Sequence, residues 1–139
     1  MKSVIKQKNE YFLRLDKGEE ILATIKQFCL KENIRSGFFT GIGVIDRLML
    51  SYYDIHEKKY SDKLITKELE ITNITGDVSQ FLKDTIIHVH GNFSDDKYQV
   101  IGGHVKEAVV SATCEIYLRT FNSPMKRKRD EPTGLNLLE

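Results

Sequence analysis

The stretch His88-Val89-His90-Gly91-Asn92-Phe93-Ser94-Asp95-Asp96-Lys97-Tyr98-Gln99-Val100-Ile101-Gly102-Gly103-His104-Val105 decides how the chain reads. Its centre, Ser94-Asp95-Asp96-Lys97, has the residues of a turn, whose short polar side chains bond back to their own backbone. The flanks, Thr85–Gly91 and Tyr98–Val105, have the apolar, β-branched content of strands. A strand sends alternate side chains to opposite faces, so His88 and His90 share one face while Ile87 and Val89 point to the other. If the flanks pair around the turn, His104 comes opposite or diagonal to that histidine pair. The glycines beside it would let another backbone or a ligand approach closely.

Working outward, Val109–Phe121 alternates again. Ala112, Cys114, Ile116 and Leu118 lie on one face, and Thr113, Glu115, Tyr117 and Arg119 on the other. Leu64–Ile74 alternates likewise, after a polar turn region from His56 to Lys63. Upstream, Ser36–Tyr53 reads as a strand, a bend or bulge at Gly41-Ile42-Gly43, and a second strand. A phosphate loop is excluded there, because no Gly-Lys-Ser/Thr follows and the downstream pattern is strand. Glu10–Leu15 is a further short strand. Asp16, with Glu19 three residues on, resembles a capping box. Behind it Ile21, Leu22, Ile25, Phe28 and Cys29 recur at helical spacing, predicting a helix over about 18–32. Both prolines, Pro124 and Pro132, fall near the end, so nothing upstream forbids a continuous ladder. The expected fold class is α+β, a largely antiparallel sheet with one main helix.

Size and composition bound the rest. A chain of 139 residues with 40% hydrophobic and 29% charged residues suits one globular domain, 1–139. The core is expected over about 10–121, with a basic hairpin or tail over 122–139. Lys and Arg total 21 against 20 Asp and Glu, a formal charge of +1. That balance argues against a chain built mainly to grip phosphate backbone. Met1–Lys8 lacks the apolar segment of a signal peptide, and no apolar run approaches membrane-spanning length. Cys29 and Cys114 are too few for a disulfide framework and sit on apolar stripes, as buried structural thiols do. The expected setting is cytoplasmic, with no membrane partner.

His88, His90 and His104 are the candidate metal ligands. Three neutral imidazoles make a borderline-soft donor set, for which zinc is the default ion. The pattern alone also fits surface histidines bonded to water, carboxylate or backbone. His56, in a lysine-rich turn, reads as solvated. A Ser94–His–Asp triad is rejected, since no nucleophile elbow surrounds Ser94 and a turn accounts for its neighbours. Glu68 and Glu70 could serve as base or ligands, but a solvated strand face explains them better. Lys126-Arg127-Lys128-Arg129 is the candidate nucleic-acid segment, weakened by Asp130 and Glu131 and by the absence of interleaved aromatics.

Several landmarks then coincide in order and spacing. They are Tyr11–Ile21, Ser36–Val44, Glu68–Gly76 (read as a strand ending in a glycine turn), His88–Asp95 and Val100–Val105. Together they resemble the PPC (plants and prokaryotes conserved) domain, from about Tyr11 to Thr133-Gly134-Leu135. The resemblance implies an α+β domain that assembles as a homotrimer. It implies a metal site at the His-x-His and Gly-Gly-His positions, here His88, His90 and His104. Plant members carry an AT-hook, an Arg-Gly-Arg motif for the DNA minor groove. None is present, which matches the stand-alone prokaryotic type, and direct DNA binding does not carry over. No enzymatic reaction transfers from the resemblance.

Three functional readings follow. The first is a non-enzymatic, trimeric metal-binding module with a regulatory or DNA-associated role through a partner. The second is a small zinc-dependent hydrolase or lyase, using the fourth position that three histidines leave open. The third is direct DNA binding through the basic tail.

Overall fold

The computed structural model describes the backbone of residues 1–139 and every side chain except that of Ser3. In chain order the elements are β1 (Lys2–Gln7), β2 (Glu10–Asp16), α1 (Ile21–Lys31), β3 (Gly37–Asp54) and β4 (Lys59–Ile65). They continue as β5 (Leu69–Phe81), β6 (Asp84–Ser94), β7 (Val100–Thr120), β8 (Arg127–Asp130) and β9 (Leu135–Leu138). Seven strands form one sheet in the order β1-β2-β7-β6-β5-β3-β4, and a further β7–β3 pairing closes β3, β5, β6 and β7 into a ring. Every pairing is antiparallel, as the sequence predicts. The small β8–β9 hairpin lies outside this sheet.

Two pairs of predicted strands are in fact single long ones. β3 runs unbroken through Gly41–Gly43, and its ladder slips in register there instead of ending. β7 likewise joins Tyr98–Val105 to Val109–Phe121, because Val105 and Ala108 pair with Leu50 and Leu48 while Lys106 stays exposed. Between the Gly43–Cys114 and Ile45–Val110 pairs, three residues of β7 span the single residue Val44. This bulge turns Ala112 outward, against its predicted place on the core face. Only glycine fits opposite it: a Cβ on Gly43 would lie 2.3 Å from the Thr113 carbonyl oxygen.

The Leu64–Ile74 stretch divides between the end of β4 and the start of β5. Gly76 does not terminate a strand. It sits inside β5, where a Cβ would come within 2.4 Å of the His88 carbonyl oxygen and 2.5 Å of Phe39 Cζ.

The helix begins later than its apolar periodicity suggests, and Asp16 is not its cap. Before α1 starts, Gly18 N–H donates to the Val110 carbonyl (2.8 Å) and Val110 N–H to that of Glu19 (3.0 Å). Residues 18–20 are therefore held against β7. Asp16 and Glu19 instead close a turn, with Asp16 N–H donating to Glu19 Oε2 at 2.7 Å. Glu20 is the N-cap: its carboxylate accepts from the amides of Leu22 and Ala23, and also from Ala108 of β7. One side chain thus caps the helix and ties it to the sheet.

Ile21, Ile25, Phe28 and Cys29 form the buried helix face. Each large apolar side chain there contributes about 1.5–3 kcal/mol through burial. They pack with Leu13, Leu15, Phe39, Phe93, Ile116 and Leu118, all fully buried. Among the described residues no helix is long and apolar enough to cross a membrane.

Candidate metal centre

The site grows out of the β6–β7 ladder. Strand alternation puts His88 and His90 on the same face of β6, and the register sets His104 directly opposite His90. One nitrogen from each of the three rings lies within 4.8 Å of the other two. The ring centroids form a nearly equilateral triangle, with sides of 5.2, 5.2 and 5.3 Å. Tetrahedral zinc holds imidazole nitrogens at about 2.0–2.1 Å, so small side-chain rotations would close the three rings on one ion. His90 is exposed, and His88 and His104 are half-buried.

The electrostatics keep two of these rings, His90 and His104, in the form a metal needs. Burial, then the neighbouring His88 and His90, pulls His104 down to a pKa of about 4. Burial and His88 also lower His90. A neutral imidazole keeps a lone pair free to coordinate.

Beside the trio, Asp77 of β5 pairs with His88 across the β5–β6 ladder. Its Oδ2 lies 3.4 Å from His88 Nδ1. Arg127 Nη2 donates to both Asp77 oxygens, at 2.9 and 2.8 Å, and Ser79 Oγ donates to Oδ1 at 2.7 Å. Burial raises the Asp77 carboxyl, but bonds from His88, Ser79 and Arg127 outweigh it and hold the pKa at about 2. On the other side, Asp62 accepts from Ser51 and Lys106, and Tyr60 lies 5.7 Å from His104, ring to ring.

The trio opens onto a cleft of about 670 Å³. Its walls include Tyr53, Tyr60, Ile86 and Ile87, with Leu135 and Leu137 contributed by the C-terminal hairpin. Tyr53 hydroxyl donates to the Thr133 carbonyl at 2.7 Å, fixing that hairpin over the cleft.

Other singled-out residues lie elsewhere. His56 is exposed in the β3–β4 turn, its amide donating to Asp54 Oδ1. Glu68 and Glu70 are exposed and do not join the trio, with Glu68 accepting from Ser111. Ser94 Oγ donates to the Asp95 carbonyl, and Asp95 organises the turn by accepting from the amides of Lys97 and Gln99.

The basic segment does not present one face. Lys126 and Lys128 are exposed, but the Arg127 side chain is only 10% exposed and committed to Asp77 and Ser79. Arg129 is exposed and donates to the Gly134 carbonyl. Sequence reasoning missed Asp77 because it placed a turn at Gly76. The available signal was the alternation of Asp77 with Val78 and Ser79, which continues the strand.

A closed antiparallel sheet with one helix and three converging histidines thus defines a small β-rich domain with a candidate metal centre. The model of the Plants and Prokaryotes Conserved (PCC) domain matches residues 2–122, and the chain belongs to that family, the PPC domain of the sequence resemblance. The chain is similar to a metal-containing protein of Archaeoglobus fulgidus, at 30% identity and a TM-score of 0.88, covering 100% of this chain and 99% of that one. A plant- and prokaryote-conserved protein of Pyrococcus horikoshii is 29% identical, with a TM-score of 0.88 over 100% and 97% of the two chains. A candidate DNA-binding protein of Bacteroides thetaiotaomicron is 27% identical, with a TM-score of 0.94 over 97% and 94%. None of the curated proteins compared with the chain matches it.

Proposed function

We propose that this PCC-domain protein binds a divalent metal, zinc, through His88, His90 and His104, and uses it to hold a small oxygen-donor ligand in the adjoining cleft. The observation that carries the reading is the convergence of three imidazoles at the wall of an open cavity. Structural zinc sites are closed by four protein ligands, whereas three protein ligands leave a position for water or substrate. Among the described residues no further His, Cys, Asp or Glu groups with the trio. Bound zinc would supply Lewis acidity, bringing the pKa of a coordinated water to about 7. The similarity to a metal-containing archaeal protein supports the metal. The open cleft beside the trio favours the lyase- or hydrolase-type reading over a purely structural metal.

The test is metal content followed by cobalt substitution. Protein purified without a His-tag and reloaded should bind one zinc per chain. The cobalt form should show the visible spectrum of a four-coordinate site, and it should change when a small carboxylate is added. A closed spectrum insensitive to added ligands would instead support a structural metal.

A trimeric assembly is part of the same proposal. Phe12, Phe38 and Ile42 are 46, 45 and 58% exposed. Their cross-strand partners Tyr117, Arg119 and Glu115 alternate along β7, which puts all three on one outer face. Apolar surface gathered in this way is suited to burial against further copies.

A further inference from the structure

We infer that Asp77 is a positioning residue for the metal ligand His88, and that Arg127 makes the C-terminal hairpin part of the metal centre. The inference rests on the three-histidine reading and goes beyond it, because it assigns roles to residues that touch no metal.

The argument starts from what each group near His88 Nδ1 can do. Asp77 Oδ2 lies 3.4 Å from that nitrogen and Arg127 Nη2 lies 3.3 Å from it. A guanidinium only donates, and a carboxylate whose two oxygens already take bonds from Arg127 acts here as an acceptor. If Nδ1 accepts from Arg127, the ring proton sits on Nε2, and Nε2 cannot bind a metal. If Nδ1–H donates to Asp77, Nε2 is free. Zinc at Nε2 therefore requires the second arrangement, in which the carboxylate fixes the tautomer and the ring plane, as acceptors behind metal-bound histidines do.

Asp77 is in turn held rigidly. Ser79 and Arg127 donate to it, Arg127 Nε donates to Ser79 Oγ at 2.7 Å, and Nη1 donates to the Asn136 carbonyl of β9 at 2.9 Å. Gln80 N–H donates to the Met125 carbonyl at 2.8 Å, docking the start of the hairpin beside β5. The chain of contacts runs from β9 through Arg127 and Asp77 to His88. Whatever orders one end favours the other, so metal binding and hairpin docking are coupled.

Zinc affinity measured by chelator competition tests this on the full chain. Asp77→Asn keeps the shape but removes the charge and should weaken zinc by about ten- to a hundredfold. Asp77→Glu should recover part of that loss. Arg127→Met should also weaken zinc, and zinc should slow proteolysis within residues 122–139 of the wild type.

Imidazole nitrogen NMR of the zinc-loaded wild type should show His88 protonated at Nδ1 and bound through Nε2. Equal zinc affinity in wild type and folded Asp77→Asn, or zinc on Nδ1 of His88, overturns the inference. If Asp77→Asn does not fold, the wild-type spectrum decides. Wild type that takes up no zinc refutes the proposed function instead, so the two failures are distinguishable.

Discussion

His90 and His104 are direct cross-strand partners in the β6–β7 ladder, with ring centroids 5.3 Å apart. A hairpin register that faces two imidazoles, with a third two residues along the same strand face, makes each ring necessary to one cluster. Replacing His88, His90 or His104 singly with Ala should therefore remove most bound zinc. His56→Ala, in the exposed β3–β4 turn, should leave it unchanged. Zinc that binds only the folded state should raise the melting temperature, by the equivalent of about 2.7 kcal/mol at a hundredfold excess over Kd. Protons compete for the same lone pairs, so affinity should fall with acid. The low pKa of His104, about 4, delays its protonation relative to an exposed histidine. Elemental analysis and melting curves with and without zinc check this, and equal zinc in all four variants would refute it.

Acid should also unfold the metal-free protein through Asp77. Its carboxyl is held at about 2 against an ordinary 3.8. The folded state thus binds the proton less readily than the unfolded one. The stabilisation is fully present above about pH 3.8 and is lost as pH falls through 2. It amounts to about 2 kcal/mol for this side chain, which is only 16% exposed. Denaturant midpoints between pH 2 and 5 should show a wild-type slope that Asp77→Asn flattens. An unchanged slope would mean the Arg127–Asp77 pair carries no net stability.

The strands and the histidine trio were legible because period-2 alternation survives in a one-dimensional text. Val89, Cys114, Ile116 and Leu118 are buried where that alternation puts them. Bulges are what it cannot show. Two extra residues between Cys114 and Val110 turned Ala112 outward and hid the continuity of β7. The helix start was obscured for a related reason, since Gly18–Glu20 pair with β7, and no local pattern announces a pairing ninety residues away. Arg127 read as a surface charge because its partner, Asp77, is fifty positions upstream. The metal ligands lie on neighbouring strands joined by a short turn and were visible. The groups behind them belong to distant strands and were not.

The two cysteines should be chemically silent in the folded state. Both are fully buried, and burial pushes each thiol up to about 12. The nucleophilic thiolate is therefore scarce at pH 8, and the reagent is also excluded. A disulfide-exchange reagent at pH 8 should find no reactive thiol in native protein and two per chain in denaturant. Rapid labelling of native protein would contradict the packing of Cys29 or Cys114.

Duplex DNA should bind weakly and without sequence preference. The formal charge is +1, and Arg127 is spent on Asp77, which leaves Lys126, Lys128 and Arg129 as the exposed cations of the segment. A few phosphate contacts give a shallow salt dependence and a Kd weaker than about 10⁻⁶ M at physiological salt. Fluorescence anisotropy across a salt series measures both. Tight binding that Lys126→Ala, Lys128→Ala and Arg129→Ala together abolish would reverse this expectation.

The outer face carrying Phe12, Phe38 and Ile42 should be the surface through which copies associate. Phe12 already packs on Tyr117 at 5.2 Å, so the patch has its own ordered aromatic centre. Arg119 and Glu115 flank it on the same strand face, as polar residues rim an interface core. Light scattering at micromolar concentration should give three times the 16.1 kDa chain mass. Ile42→Asp places a charge at the most exposed of the three apolar positions. It should lower the mass toward one chain, because burying an unpaired carboxylate costs more than the patch contributes there. The fold itself should survive the substitution, since Ile42 is outside the packed interior, and far-ultraviolet circular dichroism should be unchanged. A wild-type mass of 16.1 kDa would remove the trimer. A trimer unaffected by Ile42→Asp would move the interface to another face of the sheet.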